Sequence, residues 1–452
     1  MTQLSTSLPV FLCRTTTAHL FVVMAALTSL IPGDSAQANW SRYLGDHRNA
    51  TADTDILLAD VWPESGPKEH WSVDIGEGFG GVAIRDSQVF LLDRVPREKD
   101  VLRVFDLKTG KELWSVSIPS PGALPFPGSR SVPTVDDERV YCATGMGIFF
   151  CVDRKSRQIL YQLDTVKFFD AEVPRFGYSY HPELYKNLVI LAPMGPKAGL
   201  AALNQATGKE VWRSPGLFQS NSTPQLYRLA GREQLIFMTS STCGTLEKQG
   251  DRWTTALDPA TGKQLWRLES YPQGNPISAP LQVADDHLFI TGGYDAGSRL
   301  IYIHSHEDKL NPIERFSLDK GSQIHGGVLY ENHIYTTANE NKNQSAQARR
   351  RNGGLMCIDL SGNIKWRTGN NPNFGLGSII RINDRILIQD GFNGHLILVK
   401  PDPRKYVELA RYNVFGKKER DEDKLWAPMA FSDGRLLLRS HKQLKCLELP
   451  TR

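Results

Sequence analysis

The side chains that could perform chemistry are few in this 452-residue chain, and they are far apart. His304 and His306 alternate along a strand-like run, and Glu307 and Asp308 follow them, so four metal-ligand types lie close together. A polar hairpin turn accounts for the same four residues, since polar and acidic side chains are typical of turns. We favour the turn, and the sequence therefore predicts no metal site.

Residues 76–81, Gly-Glu-Gly-Phe-Gly-Gly, have the glycine spacing of a dinucleotide-binding loop. That function requires a helix directly after the loop. The residues that follow, 82–85 and 88–92, form short apolar runs that predict strands instead. We therefore expect these glycines to let the chain bend into a strand, and we reject the dinucleotide interpretation.

Cys142 and Cys151 flank a tight turn at residues 146–147. With a two-residue loop they would face each other across a hairpin and could form a disulfide in an oxidising compartment. Two buried thiols are an equal alternative, because Cys151 occupies a repeat position that Cys357 and Cys446 also occupy. A free cysteine fills such a small core position well. The chain contains no Cys-x-x-Cys pair and no two adjacent cysteines.

The elements that position these residues are repeats of one phrase, Asp/Asn-x-x-Thr-Gly-Lys-x-x-Trp. It covers residues 106–114, 204–212 and 258–266, with altered copies at 153–161 and 359–366. Asp or Asn can hydrogen-bond the backbone of a turn, and Gly supplies its left-handed residue, so each copy predicts a β-hairpin. Copies about 50 residues apart, with four strands per unit, predict the blades of a propeller.

The same four-strand unit accounts for seven blades between residues 79 and 414, and residues 425–449 supply only three further strands. The strand around Trp71 precedes the first blade and has no blade of its own. We therefore predict an all-β, eight-bladed propeller of four-stranded antiparallel blades, whose closing blade is completed by this N-terminal strand. Such closure removes the unpaired strand edges of an open ring.

The segments that lead into the innermost strands share an anchor position, which is usually proline. The residues two positions before each anchor would surround one mouth of the central channel. Four of these are aromatic or imidazole groups, and three polar residues lie nearby, which together form a candidate binding surface. The candidates are Phe79, Arg130, Tyr180, Asn221, Asn275, His325 and Trp426. Packing between blades is the alternative role for these residues.

Residues 1–38 resemble a cleavable secretory signal, with an apolar run at 20–27 and Ala-Gln-Ala at 36–38. We expect residues 39–68 to form a lead-in and 69–452 the propeller, exported to the periplasm or beyond. The apolar run is too short to span a bilayer, so we expect no transmembrane segment in the mature chain. A net charge of +4 predicts no nucleic-acid partner.

The repeated phrase resembles the tryptophan-docking repeat of pyrroloquinoline-quinone (PQQ)-like propellers, which include quinoprotein alcohol dehydrogenases and the outer-membrane-protein assembly factor BamB. The resemblance extends from Asn39 to Leu449 and implies that one aromatic ring per blade wedges against the next blade. By match to the motif, these docking residues are Trp71, Trp114, Trp212, Trp266 and Trp366.

The resemblance leaves two functions to weigh. The dehydrogenases of this family grip PQQ with a disulfide of adjacent cysteines and hold Ca²⁺ with acidic and amide groups, and the sequence offers neither set. We therefore expect a non-catalytic binding or scaffolding module, with an envelope protein or a small ligand at the channel mouth and no catalytic residue or cofactor. A PQQ- and Ca²⁺-dependent alcohol or sugar dehydrogenase is the alternative.

Overall fold

The computed structural model describes residues 39–217, 219–240, 252–269, 275–293, 296–338, 354–416 and 424–452. The predicted signal segment 1–38 therefore lies outside the described residues. Within them, eight antiparallel four-stranded sheets follow one another in a ring, so the eight-bladed propeller is confirmed. One short helix, Thr165–Phe169, follows the second blade. No helix in this part of the chain is long and apolar enough to cross a membrane.

Each blade contains four strands, and their order within a blade runs from the innermost strand outward. Blades 1 to 4 contain Val82–Arg85, Gln88–Val95, Arg97–Asp106 and Glu112–Gly122; Thr134–Val135, Arg139–Ala143, Ile148–Asp153 and Ile159–Asp164; Glu183–Tyr185, Leu188–Leu191, Ala201–Asn204 and Glu210–Arg213; and Gln225–Leu229, Arg232–Ser240, Arg252–Leu257 and Gln264–Glu269. Blades 5 to 8 contain Leu281–Ala284, His287–Gly292, Gly297–His306 and Lys309–Leu318; Val328–Tyr330, His333–Thr337, Leu355–Asp359 and Ile364–Arg367; Ile379–Ile382, Arg385–Gln389, His395–Lys400 and Val407–Asn413; and Ala430–Ser432, Arg435–Arg439, Gln443–Glu448 and Lys68–Asp74.

The N-terminal strand closes the ring. Lys68–Asp74 pairs antiparallel with Gln443–Glu448 and becomes the outermost strand of blade 8, with Trp71 opposite Cys446. The prediction that this strand completes the last blade is therefore confirmed. The closing sheet thus joins the two ends of the propeller through backbone hydrogen bonds.

The repeated phrase forms the turn between the third and fourth strands of a blade. In blade 1 the carboxylate of Asp106 accepts hydrogen bonds from the backbone N–H and the hydroxyl of Thr109. The N–H of Gly110 donates to the carbonyl of Asp106, and Gly110 has a φ of +71°. A residue with a side chain rarely adopts this φ, which explains the glycine of the phrase.

The missing side chain of that glycine also makes room for the preceding blade. A Cβ at Gly110 would lie 2.6 Å from the ring of Trp71 in blade 8, and Trp71 Nε1 donates to the carbonyl of Leu107 at 2.9 Å. An aromatic ring also lies on a glycine at four further blade junctions. These pairs are Tyr161 with Gly208, Trp212 with Gly262, Phe316 with Gly362, and Tyr412 with Gly66.

The other aromatic residues at this position have different partners. Trp366 Nε1 donates to the carbonyl of Asp402 in the turn of blade 7 at 2.8 Å. Trp266 Nε1 donates to Oε1 of Gln234, which belongs to its own blade. Trp114 packs edge-on against Phe90 of its own blade. These differences follow from the altered turns of the next blades, because the turns of blades 2, 5 and 7 lack the glycine of the phrase.

The lead-in crosses the end of the channel opposite the predicted mouth. Trp40 exchanges two backbone hydrogen bonds with Ile84 of blade 1, and the carbonyl of Ser41 accepts from Val135 of blade 2. Farther along, Thr51–Ala52 runs parallel to the innermost strand of blade 7 as a fifth strand. No sequence pattern predicted this strand, which is only two residues long.

Two arginines of the lead-in hold its middle part to blade 3. Arg42 Nη1 and Arg48 Nη2 lie 3.0 and 2.6 Å from the same carboxylate oxygen of Glu183, which is buried. A buried carboxylate needs such partners, because an unpaired one would lose its hydration without compensation. The lead-in is therefore an integral part of the propeller.

Cys142 and Cys151 are both buried, and the structure contains them as free cysteines. The register places Cys151 opposite Tyr141, and Cys142 opposite Phe150. Residues directly opposite share one face of a sheet, whereas neighbours along a strand alternate. The two thiols therefore lie on opposite faces of blade 2, and burial raises the pKa of each.

Candidate functional site

The central axis of the propeller contains a cavity of about 180 Å³. The segments that lead into the innermost strands form its walls, and seven of the eight blades contribute at least one residue. Six of the seven candidate binding residues line this cavity. These six are Phe79, Arg130, Asn221, Asn275, His325 and Trp426.

Tyr180 departs from the expectation. Its ring is buried away from the cavity and packs edge-on against Tyr178, with the ring centroids 5.9 Å apart. Successive side chains of an extended segment point in opposite directions. Because Tyr180 points into the core between blades, its neighbours Ser179 and His181 line the cavity instead.

Aromatic rings from blades 8, 1, 2 and 3 form one wall of the cavity, which we call the aromatic wall. Phe79 stacks on Trp426 with centroids 5.4 Å apart, and Phe126 lies 6.2 Å from Phe79 and 6.0 Å from Trp426. Phe176 extends the wall at 5.8 Å from Phe126. Lys424 Nζ lies 4.4 Å from the centroid of Phe126, so a positive charge faces these rings.

A glycine loop positions Phe79. The backbone N–H groups of Phe79 and Gly80 both donate to the carbonyl of Ser129, at 2.7 and 3.1 Å. Arg439 of the closing blade is buried and donates to the carbonyls of Gly80 and Gly76 at 2.6 and 3.1 Å. The glycines at 76–81 therefore allow the backbone to pack closely around an arginine. They precede a strand and do not form a dinucleotide-binding loop in front of a helix.

Arg130 lies behind the aromatic wall. Its two terminal nitrogens donate to the carbonyls of Gly128 and Phe126, and its guanidinium carbon lies 5.8 Å from the centroid of Phe79. Burial lowers the pKa of Arg130 to about 10. The guanidinium therefore stays charged at neutral pH, and its contacts brace the loop that carries Phe126.

Uncharged polar groups from blades 3 to 6 line another part of the cavity, together with Ile277 and Ile324, and we call this part the polar wall. Asn221 donates to Ser179 Oγ at 3.0 Å, and Asn275 and Gln323 add two more carboxamides. Val132 N–H donates to His181 Nδ1 at 2.8 Å, and the carbonyl of Trp426 lies 3.1 Å from His325 Nε2. Burial lowers the pKa of His325 to about 4 and that of His181 to about 3.

Tyr43 of the lead-in also lines the cavity, and its ring centroid lies 4.0 Å from that of His181. Because the lead-in contacts the innermost strands at the far end of the channel, Tyr43 forms the floor of the cavity. A ligand would therefore enter from the side of Phe79 and Trp426.

The lining does not fit a calcium-bound quinone. Ca²⁺ is held by six to eight oxygen ligands, among which carboxylates are prominent. No Asp or Glu lines the cavity in the part of the chain that the structure describes. Across the same residues, no group of three or more His, Cys, Asp or Glu side chains could hold a metal ion.

The histidine pair considered as a metal site lies elsewhere, on the outer half of blade 5. His304 and His306 are exposed and share one strand face, with ring centroids 6.2 Å apart. Glu307 and Asp308 both have positive φ and form the tight turn that follows. This is the polar hairpin turn that the sequence favoured.

Sequence reasoning missed several residues of the cavity, among them Phe126, Phe176, Tyr43 and His181. The first two precede Pro127 and Gly177 in loops that lead toward innermost strands. An aromatic residue directly before the proline or glycine of such a loop was the signal that could have identified them. Nothing in the sequence indicated that the lead-in would return to the channel.

A family model described as outer membrane protein assembly factor BamB matches residues 97–368, which is more than half of the chain. No curated protein matches the sequence significantly. Among solved structures, a europium-containing methanol dehydrogenase is similar with a TM-score of 0.63 and 11% identity, over 89% of each chain. BamB from Moraxella catarrhalis has a TM-score of 0.57 and 12% identity, over 84% of this chain and 99% of its own.

A quinohemoprotein alcohol dehydrogenase from Pseudomonas putida is also similar, with a TM-score of 0.63 and 11% identity over 92% of this chain and 81% of its own. Identities this low show a shared fold alone, and the solved relatives include enzymes as well as an assembly factor. The family model, by contrast, matches the repeated blades themselves. The chain therefore belongs to the family of PQQ-repeat β-propellers whose model is described as outer membrane protein assembly factor BamB.

Proposed function

We propose that this chain is a non-catalytic binding or scaffolding propeller that takes its ligand at the channel mouth, beside the stacked rings of Phe79 and Trp426. The observation that carries the proposal is the composition of the cavity. One wall is aromatic, the other is polar and uncharged, and the described residues of the lining include no carboxylate. Such a site can bind a ligand by stacking and hydrogen bonding. Its described lining contains no carboxylate that could act as the base that takes a proton from an alcohol.

The proposal includes export to the cell envelope. The signal-like residues 1–38 support it, and so does the match to a family described as an outer membrane assembly factor. An envelope protein that inserts an apolar side chain into the mouth is one kind of ligand, and a small molecule is another.

A PQQ-dependent dehydrogenase remains the second candidate, because solved dehydrogenases share the fold. To separate the two, the purified protein is incubated with PQQ and Ca²⁺, and in parallel with PQQ and a lanthanide ion. Dye-linked oxidation of simple alcohols and aldose sugars is then measured. We expect no turnover above the protein without PQQ, and turnover that disappears when PQQ is omitted would overturn the proposal.

Binding is tested separately, by the shift in melting temperature that a panel of sugars, aromatic acids and short apolar peptides produces. Phe79→Ala removes part of the aromatic wall, whereas Phe168→Ala is a matched control at an exposed position of the helix Thr165–Phe169. We expect at least one ligand class to stabilise the wild type and Phe168→Ala but not Phe79→Ala. A panel without any such difference would contradict binding at this mouth.

A further inference from the structure

We propose that the ligand inserts a neutral sugar ring between the aromatic wall and the polar wall. This inference rests on the proposed binding function and names its ligand class. A pyranose has an apolar C–H face and a rim of hydroxyl groups that each donate and accept hydrogen bonds. The two walls of the cavity differ in the same way as the face and the rim of such a ring.

The aromatic wall supplies flat apolar area of limited flexibility. Phe79 and Trp426 stack on each other, with 28° between their planes, and the ring surface that they leave exposed forms one apolar side of the cavity. Two cations help to hold these rings in place, since Arg130 lies over the ring of Phe79 and Lys424 lies over the ring of Phe126. A ring that is already ordered loses little entropy when a ligand stacks on it.

Two histidines of the polar wall, whose tautomers are defined by their hydrogen bonds, supply one donor and one acceptor. His181 accepts at Nδ1, so its proton is on Nε2, which is left as a donor. His325 donates from Nε2 to a carbonyl, which can only accept, so its Nδ1 is left as an acceptor. Both rings line the cavity. Hydroxyl groups, which both donate and accept, can bond to either imidazole.

The charge distribution disfavours ionic ligands of either kind at the polar wall. The carboxamides carry no charge, and both imidazoles stay neutral at physiological pH because burial lowers the pKa of each. A carboxylate placed there would find no cation beside it among the described lining residues of that wall. An ammonium group would lie near the positive charges of Arg130 and Lys424 and would find no carboxylate to pair with among the described lining residues.

The size of the cavity limits how much ligand it holds. Its volume of about 180 Å³ is below the range of about 300–1,000 Å³ that is typical of sites for drug-sized ligands. One ring therefore enters, and the rest of a longer glycan would stay outside the mouth. The floor formed by Tyr43 prevents the ligand from threading through the channel.

The test is isothermal titration calorimetry on the full chain with methyl hexosides of glucose, galactose and mannose. The comparison ligands are glucuronate, glucosamine and cyclohexylmethanol, which change the charge or remove the hydroxyl rim. We expect at least one neutral hexoside to bind, and each comparison ligand to bind at least tenfold more weakly. Binding that requires a charge, or that cyclohexylmethanol reproduces, overturns the inference.

Two variants distinguish stacking from simple apolar contact. Phe79→Leu keeps an apolar side chain but removes the flat ring, and should weaken hexoside binding about five- to tenfold. Phe168→Leu makes the same change outside the cavity and should leave binding unchanged. Equal affinities for both variants would overturn the inference. Phe79-dependent binding of peptides or aromatic acids without any sugar would also overturn it, yet would leave the proposed function intact.

Discussion

Gly262 lies in the Thr-Gly turn of blade 4, directly under the ring of Trp212 from blade 3. Its φ is +69°, and a Cβ there would lie 2.8 Å from the ring atoms Cδ2 and Cζ3 of Trp212. The ring is buried, and its Nε1 donates to the carbonyl of Pro259 in the same turn at 3.2 Å. We predict that Gly262→Ala destabilises the protein by forcing this ring away from the turn.

Gly231 provides a matched control in the same blade. It has a φ of +77°, but no atom lies within 4 Å of a Cβ built on it. Both substitutions incur the cost of a left-handed backbone, about 1–2 kcal/mol. Overpacking against the ring adds about 1–3 kcal/mol at Gly262 alone. The expected losses are therefore about 2–5 kcal/mol for Gly262→Ala and about 1–2 kcal/mol for Gly231→Ala.

Equilibrium urea unfolding of the two variants and the wild type measures this difference, provided that the slope of the transition stays constant. The double variant Gly262→Ala with Trp212→Ala adds a second check. Once the ring is gone the added methyl group meets nothing, so the two losses should not add. Two results would show that the Trp212 ring does not press against the turn. One is an equal loss of unfolding free energy in both glycine variants, and the other is strictly additive losses in the double variant.

Three further predictions concern other parts of the molecule. Deletion of residues 39–75 should cause aggregation, because it opens the closing blade and removes the lead-in; a soluble variant that unfolds cooperatively would contradict this. Burial lowers the pKa of His325 from 6.5 to about 4. The unfolded chain therefore takes up a proton at this histidine as the pH falls below 6.5, whereas the folded chain takes it up only near pH 4. Stability should therefore fall by about 2 kcal/mol from pH 7 to pH 5 through this group, and urea unfolding of His325→Gln should lack that part of the dependence. Cys142 and Cys151 should both react with an alkylating reagent in denaturant without reductant, and a peptide mass that shows them linked would contradict the observed register.

The sequence by itself determined the architecture of this protein. The phrase that ends at Trp212 and its copies predicted hairpins, because Asp or Asn, Thr and Gly specify a turn through local hydrogen bonds and a left-handed residue. The three-stranded C-terminal unit and the strand around Trp71 predicted the closing blade, because an open ring leaves edges unpaired. These features depend on interactions within a few residues or on repetition, and both are visible in a single sequence.

The sequence also placed six of its seven candidate residues at the cavity, because equivalent positions of repeated blades face the same axis. It failed at Tyr180. Successive side chains of an extended segment point in opposite directions, and the position of the anchor proline does not determine which of them points toward the channel. It left open whether the two cysteines of blade 2 face each other, because their faces depend on the register of their hairpin.

Only the tertiary structure decided what closes and shapes the cavity. Phe126 and Phe176 reach the mouth from irregular loops, and Tyr43 reaches the floor from a lead-in that crosses the channel. The positions of these rings depend on contacts between residues far apart in the chain, such as the pairing of Arg42 and Arg48 with Glu183. No local propensity encodes such contacts, since each one forms only after the ring of blades has brought its partners together.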